Sequence, residues 1–183
     1  MTNRLNLTKQ RAMNEALYIS EYQSPIGLLL LAATDDNLAI CAQKNVVLER
    51  KLIDKMLIQF NLTAEYQTNN HILEQAAEWL DNYFSGIKNK KEPPLLTSGS
   101  SFQNKVWLKL TEIPYGSTVS YSNIAQAIGS PKAIRAVANA IGANRLWIFI
   151  PCHRVIGSNG QLTGYAGGLE AKKYLLDLET RFK

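Results

Sequence analysis

The sequence predicts an α+β protein in two parts, a strand-rich half followed by a mainly helical half that contains a helix-turn-helix. Three observations predict it. Short apolar runs broken by turn residues fill 16–42, and helical periodicity governs the chain after residue 100. Between the halves lies KNKKEPPLLTSGSS, at 88–101, which is polar and rich in Pro, Gly and Ser. We therefore assign 1–90 to a first domain, 91–100 to a linker and 101–183 to a second domain, a division that 183 residues can support.

The first element is a meander. Tyr18-Ile19-Ser20 and residues 28–32 are strand-like and are separated by Ser24-Pro25-Ile26-Gly27; Asp35-Asp36-Asn37 turns the chain into Leu38-Ala39-Ile40-Cys41. Cys41 falls in that strand as a buried apolar residue. Val47, Leu48, Leu52, Met56, Ile58 and Phe60 recur at roughly helical spacing over 46–60, and Leu73, Ala76, Ala77, Leu80, Tyr83 and Phe84 make one face of a helix at about 72–84 that Gly86 ends. In the second half, Phe102, Val106, Trp107, Leu110 and Ile113 mark an amphipathic helix stopped by Pro114-Tyr115-Gly116. Ser120 caps a short helix with Ile124, Ala125 and Ile128 inside and Gly129 past its end. Ser130-Pro131 then reads as N-cap and first-turn proline of a following helix, whose stripe is Ile134, Val137, Ala138 and Ile141, with Gly142 closing it. Two short helices around a Gly-Ser turn predict a helix-turn-helix.

The outer face of that second helix carries Lys132, Arg135 and Asn139, with Ala133, Ala136 and Ala140 between them. Major-groove readers need long polar side chains. Here the alanines let the helix axis come close to another surface, which suits the minor groove, with Arg135 as the group that intrudes into the base stack. An ordinary helix-packing face with a solvated Arg is the other reading. Charge favours a polyanion partner: residues 1–100 balance to −1, 101–155 to +5 and 156–183 to +1.

No apolar run approaches the roughly 20 residues that span a membrane, and the N-terminus lacks the apolar core of a secretory signal. We expect a cytoplasmic, monomeric protein. Two cysteines and two histidines, scattered along the chain, make neither a disulfide framework nor a structural zinc site. No metal or cofactor is expected.

Chemistry concentrates at Pro151-Cys152-His153-Arg154-Val155, which follows the apolar run 146–150 and precedes the glycine-rich stretch 157–168. A thiol beside a base can become a sulfur nucleophile, because the thiolate reacts and something must take its proton. A bare Cys-His pair is equally compatible with a packed thiol beside a structural histidine. Downstream, Lys172, Leu176 and Glu179 share a helix face that can return toward this loop, although Glu179 also reads as a solvated terminal carboxylate.

Taken together, Phe102-Gln103, Val106-Trp107, Ile113-Pro114, Gly116, Ser120-Tyr121, Arg135-Ala136-Val137, Asn144, the segment from Ile150 to Val155, and Tyr165-x-Gly167-Gly168-Leu169 resemble the O6-alkylguanine-DNA alkyltransferases. The likeness is dense over 102–179 and looser before it, in Tyr22-x-Ser24-Pro25-x-Gly27 and Tyr83-Phe84-x-Gly86. It implies a ribonuclease-H-like first domain and direct-reversal repair: Cys152 accepts the alkyl group from O6-alkylguanine, and from O4-methylthymine, once and irreversibly. It further implies that His153 takes the thiol proton through a water and that Glu179 orients His153. By the same likeness Tyr121 hydrogen-bonds guanine N3 of a flipped base, Lys172 supports Tyr121, and Asn144 positions the active-site turn. Val155, Tyr165, Ala166 and Gly167 wall the pocket. The partner implied is double-stranded DNA carrying an alkylated guanine, bound through the minor groove, with the protein on the nucleoid during repair. Thr163 and Ala166 depart from residues common at those positions, which bears on tolerance for bulky adducts.

Other classes fit these residues less well. Noncatalytic binders of alkylated DNA replace the cysteine, usually with tryptophan, whereas Cys152 is present. Nucleobase deaminases need a second cysteine where Val155 stands, and a helix-turn-helix regulator needs a longer polar recognition helix.

Overall fold

The computed structural model describes residues 5–6, 15–66, 69–87 and 91–183. Of Val46, Val47 and Leu48 only the backbone is described, and residues 88–90, at the start of the polar stretch before the linker, lie outside the described residues. The chain divides into two compact units, Met1–Ser98 and Gly99–Lys183.

The first unit is built on a six-stranded mixed sheet in the order β1-β6-β4-β3-β2-β5. Strands β2 (Glu15–Ser24), β3 (Gly27–Ala33) and β4 (Leu38–Gln43) form the predicted antiparallel meander, with Ser24 paired to Gly27 across the first turn. Leu29, Leu30, Leu31, Ala32 and Ala33 are all buried, so β3 is covered on both faces. Helix α1 (Val46–Phe60) and helix α2 (His71–Phe84) follow the sequence spacing closely. Asn70 caps α2, its side chain accepting from the amides of Ile72 and Leu73 at 3.0 Å each. Cys41 is a buried residue of β4.

Three short strands escaped the sequence. Strand β5 (Leu62–Tyr66) pairs parallel with β2, and β1 (Leu5–Asn6) pairs parallel with β6 (Leu95–Leu96). The reading of 91–100 as linker is corrected accordingly. Leu95 and Leu96 are buried in β6, between β1 and β4, and Leu95 also pairs with Leu38 of β4. Two adjacent leucines gain more from closing that core than from a solvated linker.

The second unit contains α3 (Ser101–Leu110), β7 (Val119–Ser120), α4 (Tyr121–Ala127), α5 (Ile134–Gly142), β8 (Val155–Ile156) and α6 (Gly168–Arg181). Ser100 and Ser120 each close a capping box, with Gln103 and Asn123 respectively. Helix α5 begins at Ile134, later than predicted, because Ser130 is already engaged in ending α4. Its amide donates to Ala125 O at 2.9 Å, and the Gly129 amide donates to Gln126 O at 2.9 Å, with Gly129 at φ +71°. The Ala133 amide then bonds Ser130 O at 2.9 Å, so 130–133 is a turn and Ala133 is an N-cap without a side-chain bond.

Candidate active site

The Cys152 thiol is positioned by a compact reversal that follows α5. Asn144, 1% exposed, holds it together: Oδ1 accepts from the Leu146 amide at 2.9 Å, while Nδ2 donates to Ile150 O at 2.9 Å and to Cys152 Sγ at 3.2 Å. Within the reversal, the Phe149 amide reaches Trp147 O at 2.8 Å across Ile148, whose φ is +72°. The Cys152 amide reaches Ile150 O at 2.7 Å across Pro151. These are two γ-turns in quick succession, the first in the rare, strained form. A β-branched residue keeps that conformation because Ile148 is buried and cannot relax without opening the core. Replacing Asn144 by Ala orphans the Leu146 amide and leaves the Ile150 carbonyl with the Cys152 amide alone. We expect a loss of about 1–3 kcal/mol in unfolding free energy, read from urea melts.

Cys152 is itself 4% exposed and opens a single 3-10 turn, Cys152–Arg154. Burial pushes its thiol up to about 11, against the Asn144 hydrogen bond and the Lys172 charge, which pull it down. A thiol held that high needs a base. The adjacent His153 is fully buried, and its Nε2 lies 2.8 Å from Glu179 Oε1. Glu179 is equally buried, yet hydrogen bonds from His153 and Arg154 outweigh desolvation and bring its carboxyl down to about 2. An ionised carboxylate can only accept, so Nε2 carries the proton and Nδ1 keeps the proton-accepting lone pair. Burial lowers the His153 pKa and so favours the neutral imidazole.

Arg154 completes the cluster, and its role here was missed in the sequence. Its Nε lies 2.9 Å from Glu179 Oε2 and its Nη2 2.8 Å from Oε1, while Nη1 donates to Ile113 O at 2.7 Å. The Tyr115 ring stacks under the guanidinium, 5.6 Å from its carbon to the ring centroid. The Gly116 amide donates to Glu179 Oε2 at 2.9 Å. The available signal was position: an arginine inside a motif that directly follows a buried apolar run must find a carboxylate.

On the opposite side, Lys172 is fully buried and donates to Val155 O at 2.5 Å and Thr163 O at 2.7 Å. Burial lowers it to about 8. The Tyr121 hydroxyl reaches the same loop, at Thr163 O (3.3 Å) and Gly164 O (3.4 Å). Lysine and tyrosine thus meet through shared carbonyls. Trp147 packs on Tyr165 with centroids 5.3 Å apart, and Gly167 lies so close that an added Cβ would sit 2.7 Å from the indole. Val155 is buried, and Ala166 is exposed on the same loop.

Comparison with known proteins interprets this constellation. Residues 101–181 match the family model described as 6-O-methylguanine DNA methyltransferase, DNA binding domain, and residues 17–96 match its ribonuclease-like domain. The chain is 40% identical over 163 residues to the methylated-DNA–protein-cysteine methyltransferase of Methanosarcina acetivorans, covering 89% of this chain and 98% of that one. It is 41% identical over 165 residues to the constitutive methylated-DNA–protein-cysteine methyltransferase of Bacillus subtilis, covering 88% and 94%. The chain belongs to the O6-methylguanine DNA methyltransferase family. Its backbone is similar to the crystal structure of Mycobacterium tuberculosis OGT in complex with DNA, with a TM-score of 0.75 and 36% identity over 90% of this chain and 94% of that chain. The α+β fold with a ribonuclease-like first domain, expected from the sequence, is borne out.

For a methyltransferase of this family the face of α5 is of direct interest. Lys132, Arg135, Ala136 and Asn139 are exposed and Ala133 is partly so. Two readings are corrected. Ala140 is 2% exposed and faces inward with Val137 and Ile141, where its small size admits Trp107, whose indole N–H donates to Ala140 O at 2.7 Å. Ile134, assigned to the buried stripe, is 43% exposed, because the turn over 130–133 leaves the first residue of α5 uncovered. Among the described residues no cluster of three or more His, Cys, Asp or Glu could hold a metal ion, and no helix is long and apolar enough to cross a membrane.

Proposed function

We propose that this chain is a methylated-DNA–protein-cysteine methyltransferase that repairs O6-methylguanine in duplex DNA by moving the methyl group onto Cys152. The observation that carries the reading is a buried thiol next in sequence to a buried imidazole, which a buried carboxylate holds in the proton-accepting tautomer.

The balance of the reaction is simple. Cys152 Sγ gives its proton to His153 Nδ1 through a water, and the sulfur attacks the methyl carbon in line with the O6–carbon bond. The new bond is sulfur–carbon, and the O6–carbon pair leaves with the guanine. The guanine takes up a proton equivalent to the one the thiol lost, and the Tyr121 hydroxyl, at N3, supports its departure as a neutral base. Its two contacts in the free protein are long, 3.3 and 3.4 Å, and so are readily exchanged for an incoming base. Lys172 holds the carbonyls that Tyr121 shares. The thioether has no leaving group that water can displace, so each chain acts once. O4-methylthymine presents the same alkyl-oxygen chemistry and is a second substrate.

Access to the methyl group requires extruding the base. Arg135 fills the vacated space from the minor groove, and Lys132 and Asn139 lie along the backbone. No cofactor takes part, and the protein acts as a monomer on cytoplasmic DNA.

The test is the intact mass after mixing with excess duplex carrying O6-methylguanine, followed by peptide mapping. One added methyl per chain, on Cys152, is expected. Lesion-selective binding without a mass change would replace repair with lesion sensing, and no preference for the lesion would overturn the reading.

A further inference from the structure

Helix α5 exposes one large apolar side chain, and it stands next to Arg135. Ile134 is 43% exposed at the first position of the helix, while Val137, Ala140 and Ile141 turn into the core. At 100° per residue, Ile134 lies between that buried side and the outward face of Arg135 and Asn139. A single exposed isoleucine is ordinary on most surfaces and carries no meaning there. This one differs in its neighbours. Ala133, just before it, is partly exposed, so the start of the helix offers a short apolar strip of Ala133 and Ile134 beside the Arg135 stem. The turn over 130–133 leaves this strip uncovered. The turn before the helix exposes Lys132, and turn and helix both lie within the stretch that matches the family's DNA-binding domain.

A strip of this kind is poorly matched to phosphates or to the hydrogen-bonding edges of bases. It fits deoxyribose, whose minor-groove edge is apolar, and the face of a base step that has been pried apart. Proteins that bend DNA from the minor groove use isoleucine in this way.

We propose that Ile134 is a DNA-opening wedge: it packs against the minor-groove sugars and the base step beside the site entered by Arg135, and so stabilises the duplex with the target base extruded. The proposal rests on the repair reading above. Arg135 supplies charge and fills the stack, whereas Ile134 supplies apolar contact that exists only once the groove has widened. Its contribution belongs to the opened state of the duplex and not to the chemistry at Cys152.

The experiment compares Ile134→Ala and Ile134→Leu with the unchanged protein in single-turnover methyl transfer from O6-methylguanine. Two substrates are used, a fully paired duplex and a single-stranded oligonucleotide of the same sequence. Ile134→Ala is expected to slow transfer from the duplex by about ten-fold, the order set by losing the contact of a few methylene groups, and to leave the single-strand rate within two-fold. Ile134→Leu is expected to restore most of the duplex rate. In duplex with 2-aminopurine beside the lesion, Ile134→Ala should also show a smaller rise in fluorescence on binding. Because the residue is exposed at a helix end, thermal unfolding should be unchanged, which separates the effect from misfolding. Equal duplex rates for Ile134→Ala and the unchanged protein would overturn the proposal, as would a parallel loss on both substrates. Failure of the repair reading itself looks different: the unchanged protein would then transfer nothing from either substrate.

Discussion

A Cys152→Ala chain accepts no methyl group from O6-methylguanine duplex, and its mass stays unchanged under conditions that convert every wild-type chain. The effect is complete because no second group can substitute. Cys41 is the other cysteine, and it is a buried strand residue of the first unit. The substitution leaves the surrounding geometry in place. Asn144 retains its bonds to Leu146 and Ile150, and the lost Sγ contact costs about 1 kcal/mol, typical of trimming one buried atom. The variant should therefore bind the lesion with affinity within a few-fold of the wild type. Binding without transfer separates recognition from chemistry, and fluorescence anisotropy paired with intact mass reads both. Any methyl found on Cys152→Ala protein would move the acceptor elsewhere.

The second large effect concerns Glu179. Its two oxygens accept from His153, Arg154 and the Gly116 amide, and both Glu179 and His153 are fully buried. Glu179→Ala leaves a guanidinium that is 9% exposed with no carboxylate, and breaking a buried pair from one side costs about 3–5 kcal/mol. The pH dependence has a definite sign. The Glu179 carboxyl titrates at about 2 in the folded chain and near 4.3 when unfolded. Its stabilisation is therefore fully present above about pH 4.3 and is lost as pH falls through 2, a total of about 3 kcal/mol. His153, lowered in the folded state, adds a loss of the same sign, beginning as pH falls below about 6.5, where the unfolded chain takes up a proton first. Urea midpoints should thus decline from pH 6.5 downward in the wild type. In Glu179→Gln the segment below pH 4.3 should flatten, at a lower overall stability. A wild-type midpoint that rises on acidification would show that the carboxylate is not held by these partners.

Much of this site could be read in the sequence because its information is local. A capping serine, a glycine after a short helix and an adjacent Cys-His pair are contained in a few residues, and helical spacing put Lys172 and Glu179 on one face. What escaped depends on distant partners. Arg154 could not be assigned until the turn at 113–116 was seen to meet it, since a motif arginine is as often a DNA contact as an internal ion-pair partner. The start of α5 was misjudged because a Ser-Pro pair is a good helix opening in isolation, yet the Ser130 amide was needed to finish α4. The inward turn of Ala140 followed from Trp107, which lies 33 residues earlier. In the first unit, β5 and β6 are too short to carry an alternating pattern, and only the sheet they join reveals them. Ile148 left no trace at all, because nothing in an apolar run indicates which residue will be forced to positive φ.

The short parallel ladder between β7 and β8 links Val119 to Val155 and Ser120 to Ile156. Val119 lies two residues before Tyr121, and Val155 three after Cys152. These rungs act as a spacer bar between the residue proposed to hydrogen-bond the extruded guanine and the sulfur proposed to attack its methyl group. A helix pushed by the DNA carries the thiol along with it, so the gap that the methyl group must cross is a property of the protein and not of the depth at which it sits in the groove.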